Sequence, residues 1–397
     1  MCPSSTTSSE SDASEGCGNP EKAPGPRWQW SVLVFFFTML AGTAVVDALW
    51  PLAAAVPVGR EGEQAAARKR GRRFSDGSLF RAIESEIGDR SRVRGYVGPI
   101  WCAWLYRAFR ETGGNTVAGR GDWLFMRDRI QRRRATDAAI LSFAVESIGA
   151  VNERIAGLGS RLVLILVPRK ETSLEEMLPV GVDPDAALGR LLVAALRRAG
   201  IEVIDPYPRF RETRDPALYH HFDSHWNDEG MRVTAEMTAR ETGLLAAPEN
   251  RLGRLEVTEQ RPEPGDILNL MGAVRANGAG DPVWLKRPLF SVIRLKGEGP
   301  ERKAEDGAVP VLVGTSFSYN NRFPDYLAHY IGRPVERQAL PGVGPVRPFI
   351  AFLASRKGRE LPQVVFWEVP EFDLLCYHRP LDELLELLRA LDARRGR

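Results

Sequence analysis

Cysteine and histidine are the scarce residues of this chain, with 4 and 5 copies among 397 positions. Cys2 and Cys17 lie in a polar leader, so too few thiols remain for a disulfide framework or a cysteine zinc site. Cys102 and Cys376 sit among aromatic residues and fit either one disulfide or two separate buried thiols. An excess of charge of one sign is also missing. The 54 basic and 51 acidic residues leave a net charge of +3, which argues against nucleic acid as a partner, because such domains cluster their basic residues. The one basic run, Arg68-Lys69-Arg70 with Arg72-Arg73, reads as a solvated linker. No internal repeat is visible, which excludes a solenoid or propeller. What is present is ordinary for a globular protein, 44% apolar and 26% charged residues.

The N-terminal part divides by composition. Residues 1–27 are rich in Ser, Pro, Gly and acids and predict a disordered tail. An apolar run occupies 32–46, with Trp28 and Trp30 before it and Trp50 after it. Residues 28–50 predict one transmembrane helix with aromatic belts at both edges. A cleaved signal peptide, with Ala53-Ala54-Ala55 as the cleavage site, is the alternative. The basic residues from Arg60 to Arg73 oppose export of the C-terminal side under the positive-inside rule, although most lie far from the run. Residues 51–74 are assigned as a linker, and 75–397 as the folded domain.

Within that domain, 74–110 has the apolar spacing of an amphipathic helix, broken by Gly113-Gly114. Short apolar runs then alternate with helical patterns. Strands are predicted at 161–167, 201–204, 309–313 and 364–369, and helices at 136–158, 184–199, 228–244, 321–332, 345–356 and 381–394. This alternation is the signature of an α/β fold with a mainly parallel sheet and helices on both faces, a three-layer sandwich. The stretch 250–308, rich in Gly and Pro, is expected to be irregular, with loops or a small subdomain beside the sheet edge.

Two segments are candidates for chemistry. Val311-Leu312-Val313 runs into Gly314-Thr315-Ser316, which would put Ser316 at the carboxyl end of a strand, where ligands bind in open α/β sheets. A glycine before the serine allows a sharp turn, and the backbone N–H groups after it are candidate oxyanion donors. The competing reading is an ordinary strand-to-helix turn. The second segment, Asp223-Ser224-His225-Trp226-Asn227, precedes a helix that Asn227 caps and that Asp228 and Glu229 begin. Asp223 and His225 therefore stand two residues apart in one loop, as a base and an acid to orient it. A serine nucleophile needs both. His220 and His221 beside them open two further readings, a metal site or merely structural histidines. Tyr319, Asn320 and Asn321 are placed to donate to an oxyanion or a sugar hydroxyl, or to cap a helix. Arg169 and Lys170 end a strand at the same edge, where Lys170 either meets an acidic sugar or is an ordinary surface charge. Trp367, near the end of the last strand, is expected in the core.

Several ordered segments between about residues 75 and 375 resemble the alginate O-acetyltransferase family of the AlgJ/AlgX type, which has an SGNH-hydrolase-like domain. They include Gly121-Asp122-Trp123-Leu124-Phe125, Val167-Pro168-Arg169-Lys170-Glu171-Thr172, Asp223-Ser224-His225-Trp226, Gly265-Asp266-Ile267, Gly314-Thr315-Ser316-Phe317-Ser318 and Phe366-Trp367-Glu368-Val369-Pro370. The resemblance implies that Ser316, His225 and Asp223 form a catalytic triad. It further implies that an exported domain, anchored in the inner membrane and facing the periplasm, acetylates a polysaccharide through an acetyl-serine. No cofactor or metal is implied. A multi-pass membrane-bound O-acyltransferase would supply the acetyl group, among other exopolysaccharide secretion proteins. Thr315 stands where many SGNH members carry aspartate, and is assigned to the substrate-binding set with Tyr319, Asn320 and Lys170. An acetyl esterase with the same triad, or a non-catalytic polysaccharide-binding or assembly subunit, are the alternatives.

Overall fold

The computed structural model describes residues 91–130, 137–213, 218–273, 286–297, 309–319, 322–356 and 360–376, together with 34, 35, 37–39, 41, 42, 384 and 386. In the unit 1–94 the described positions between 34 and 42 are helical. Among the described residues no helix is long and apolar enough to cross a membrane. Most of the predicted anchor 28–50, all of the tail 1–27 and the linker 51–74, and most of the predicted helix 381–394 lie outside the described residues.

In the unit 95–397 the strands, in chain order, are β1 (Thr116–Ala118), β2 (Leu124–Met126), β3 (Arg161–Val167), β4 (Glu202–Ile204), β5 (Arg254–Pro262), β6 (Leu289–Lys296), β7 (Val311–Gly314), β8 (Glu336–Ala339) and β9 (Val364–Pro370). Five of them make one sheet in the order β4-β3-β9-β7-β8, and every pairing within it is parallel. The strand latest in sequence, β9, therefore lies at the centre. It pairs with β3 from Arg161 opposite Val364 to Val167 opposite Pro370.

The alternation of a strand splits its side chains between two cores. Leu162, Leu164 and Leu166 of β3, with Val365, Trp367 and Val369 of β9, pack in one apolar cluster with side chains of the helices Asp137–Ala156, Ala186–Arg198 and Val346–Ser355. Val163, Ile165, Val167 and Phe366 face a second cluster with side chains of the helices Asp228–Glu241 and Phe323–Ile331. Two helical layers thus enclose the sheet, as the alternating pattern predicts. Trp367 is buried, and its indole N–H donates to the Pro345 carbonyl at 3.1 Å.

Among the described residues, the four predicted strands and the helices predicted at 136–158, 184–199, 228–244, 321–332 and 345–356 fall within a few residues of those observed. For the stretch 250–308 the expectation is irregular chain with loops or a small subdomain. Its described part holds an antiparallel ribbon of β5 and β6, with a register shift between Val257 and Glu259, and a short helix at Asp266–Met271. The helix predicted over 74–110 is seen at Arg92–Phe109. Cys102 is half-buried beside the cluster around Tyr106 and Leu268, while the side chain of Cys376 lies outside the described residues.

Candidate active site

Ser316 follows β7 with Thr315 between them and begins a single helical turn, Ser316–Tyr319. His225 and Asp223 come from the loop that feeds the helix Asp228–Glu241. Asn227 caps that helix by accepting from the Gly230 N–H at 3.0 Å. The loop is pinched at its base by a bridge between Tyr219 and Trp226. Trp226, fully buried, donates from its indole to the Phe317 carbonyl at 3.1 Å. One tryptophan thus ties the His225 loop to the turn that carries Ser316.

The three expected residues meet. His225 Nε2 lies 2.8 Å from Ser316 Oγ, and His225 Nδ1 lies 2.6 Å from Asp223 Oδ1. Asp223 Oδ1 also accepts the His225 backbone N–H at 3.0 Å, and its Oδ2 accepts the Asp266 N–H at 2.8 Å. Burial alone would raise the Asp223 pKa. The His225 ring and these backbone donors outweigh it and hold the carboxyl well below its usual range. Burial likewise disfavours a charged His225, yet the hydrogen bond and charge of Asp223, with Asp266 beyond it, raise the imidazole above its ordinary value.

Asp266, which carries no role in the sequence alone, belongs to the same cluster. It starts the helix Asp266–Met271 and accepts from Ser224 twice, from the backbone N–H at 2.7 Å and from the hydroxyl at 2.5 Å. Its carboxylate stands 3.5 Å from His225 Nδ1. Asp223, His225 and Asp266 bring their donor atoms within 4.8 Å of one another, close enough to share a cation. Those atoms are already committed to each other and to Ser224. His220 and His221 turn away to Glu263, which accepts from the His221 backbone at 2.7 Å, lies 3.1 Å from its ring, and stands 3.7 Å from the His220 ring.

Beneath the serine turn lies Glu368 of β9, fully buried. It accepts from the Thr315 N–H at 2.7 Å, the Thr315 hydroxyl at 3.0 Å and the Ser318 hydroxyl at 2.9 Å. Burial pushes its carboxyl up to about 7 against these donors. Thr315 is therefore turned to Glu368 and largely buried, and it lines the cleft together with Ser316. Gly314 serves this arrangement by close approach. A Cβ there would meet Glu368 Oε2 at 2.5 Å and Ser318 Oγ at 2.8 Å. The turn spends most of its backbone donors on itself. Thr315 N–H goes to Glu368, Phe317 N–H to the Thr315 hydroxyl, and Ser318 and Tyr319 N–H to the Thr315 carbonyl. Among the described residues this leaves the Ser316 N–H as the turn's uncommitted donor, one where several were expected.

The expectation for Lys170 is corrected. It is neither a surface charge nor open to substrate, since its side chain is 1% exposed and its ammonium is bonded to backbone carbonyls of Leu124, His221 and Asp223. Arg169 beside it forms a buried ion pair with Glu371 at 3.0 Å. Tyr319 is exposed, with the Arg337 guanidinium 5.3 Å from its ring centre. Asn320 and Asn321 lie outside the described residues.

Ser316, His225 and Asp266 line a cleft of about 470 Å³ that Arg129, Phe372 and Asp373 also line. The Arg129 guanidinium lies 4.8 Å from the Phe372 ring centre, and burial raises Asp373 to about 6. A histidine-paired hydroxyl lining such a cleft is equipped for acyl transfer.

Known proteins share this architecture. The family described as "SGNH hydrolase-like domain, acetyltransferase AlgX" matches residues 116–371. The O-acetyltransferase domain of Pseudomonas putida AlgJ is 24% identical with a TM-score of 0.54, over 68% of this chain and 98% of that one. Pseudomonas aeruginosa AlgX is 21% identical with a TM-score of 0.52, over 68% of this chain and 66% of its own length. At such identities these two likenesses speak for the fold. No curated protein matches the chain. With the family match spanning the whole sheet and every residue of the Ser316 cluster, the chain belongs to the AlgX-type acetyltransferase family with its SGNH-hydrolase-like domain.

Proposed function

We propose that this protein is a polysaccharide O-acetyltransferase that works through an acetyl-serine at Ser316. The observation that carries the reading is the continuous chain from Asp223 Oδ1 through the His225 ring to Ser316 Oγ, with links of 2.6 and 2.8 Å, ending in the cleft that His225 and Ser316 line. In the first half, His225 takes the Ser316 proton while Oγ attacks the acetyl carbonyl of a donor ester. The tetrahedral oxyanion is met by the Ser316 N–H. Its collapse leaves acetyl-Ser316, and His225 returns the proton to the departing alcohol. In the second half a sugar hydroxyl gives its proton to His225 and attacks the acetyl-serine, and the proton then passes back to Ser316 Oγ. Asp223 stabilises the imidazolium in both halves.

An alginate-like exopolysaccharide is the acceptor suggested by the family. The apolar segment 28–50 would anchor the domain to the inner membrane on its periplasmic side. A multi-pass membrane-bound O-acyltransferase would deliver the acetyl group from the cytoplasm, alongside other secretion proteins. The test is Ser316→Ala in the full chain, with an acetyl ester as donor and glycans as acceptors. Mass spectrometry should find acetyl on Ser316 and on sugar in the wild type, and neither in the variant. Sugar acetylation that survives the substitution rejects the reading. Ester turnover with water as the only acceptor would make the protein an esterase.

A further inference from the structure

Lys170 is a buried charge that the proposed chemistry does not use. It begins the short helix Lys170–Ser173 that follows β3, and its ammonium donates to the carbonyls of Leu124 at 2.8 Å, His221 at 2.9 Å and Asp223 at 2.9 Å. Three acceptors are the full capacity of an ammonium. The rings of Trp123 and Phe125 flank it, 5.1 and 5.3 Å from Nζ. Leu124 begins β2, while His221 and Asp223 belong to the loop that carries His225. One cation therefore ties the short helix after β3, the strand β2 and that loop together.

From this convergence we propose that Lys170 is the positioning residue of the Asp223–His225 limb, a buried ammonium that fixes the backbone of the acid without touching substrate. The inference rests on the triad reading above. A charge so buried is costly, and an apolar residue of similar volume would often be tolerated in its place. Burial draws Lys170 down to about 8, and the carboxylates of Glu171, Asp266, Asp223 and Glu263 hold it up. The ammonium matches its three carbonyls as a compact donor. The planar fork of an arginine would not.

The test is Lys170→Met in the full chain, with Lys170→Gln as the milder variant that keeps amide donors. The His225 ring is influenced by Asp223 and Asp266, which favour its charged form, and by Arg129, which opposes it. If Lys170 holds Asp223 in place, its loss loosens the pair and the His225 pKa falls. If it acts only as a nearby positive charge, its loss raises that pKa. If it only fills space, the pKa stays where it is while the melting temperature drops. Nuclear magnetic resonance titration of the ring in a Ser316→Ala background reads this without turnover. The expected result is a downward shift in Lys170→Met, a smaller one in Lys170→Gln, and a kcat for ester turnover reduced about ten- to a hundredfold at unchanged KM. An unchanged or raised His225 pKa in both variants overturns the proposal. Failure of the triad reading would show separately, as ester turnover that survives Ser316→Ala.

Discussion

Asp223 makes more bonds than a charge partner needs. One oxygen takes both the ring and the backbone of His225, and the other takes the Asp266 N–H, so the carboxylate fixes tautomer, ring plane and loop at once. His225 must be neutral to receive the Ser316 proton, and its pKa is raised. Ester turnover should therefore rise with pH through a midpoint above the ordinary imidazole value of 6.5. In Asp223→Asn that midpoint should move down, and kcat above it should fall about 10⁴-fold, the loss known for the equivalent change in serine proteases. A pH–rate profile of both proteins checks the two effects together. Ser316, His225 and Asp223 are legible in the sequence because each sits in a local signal, a strand entering Gly-Thr-Ser or an acid and base just before a helix cap. Lys170 is not, because the carboxyl end of a strand looks the same in sequence whether the next side chain faces water or tucks beneath a loop. Asp266 and Glu368 carry no local sign. Their bonds to Asp223 and Thr315 cross 43 and 53 residues.

The strand β7 and the turn after it act as one element, and Glu368 underneath sets its shape. Gly314 is not among the described residues with positive φ, so backbone freedom is not what it contributes. It leaves room for the carboxylate. Gly314→Ala should force Glu368 and Ser318 apart and destabilise the protein by about 1–3 kcal/mol, the range for overpacking a well-filled interior. Denaturant midpoints measure that cost, and kcat should fall with it because Ser316 rides on the displaced turn. The parallel strands are readable from near-continuous apolar runs, as expected of strands buried on both faces. The ribbon of β5 and β6 is not. Its strands are largely half-exposed and charged, with Glu256, Glu259 and Arg261 among their side chains, and the register shift interrupts the alternation that would have marked it.

At the scale of the molecule, Glu368 links the site to overall stability. Its carboxyl keeps a proton up to about 7 when folded, against an ordinary value of 4.5. As pH rises from the lower value to the higher, the unfolded chain has already released that proton while the folded one still holds it. Stability from this group is therefore complete below 4.5 and is lost as pH climbs through about 7. In Glu368→Gln this dependence should vanish. The melting temperature of the wild type, relative to the variant, should decline across that window. The same strand has a consequence in time. β9 is synthesised after its neighbours β3 and β7, yet it lies between them. Until residues 364–370 have left the ribosome, the sheet can exist only as two separate pairs, β4-β3 and β7-β8. The five-stranded sheet, and with it the carboxyl of Glu368 beneath the serine turn, is therefore completed only after its central strand has emerged.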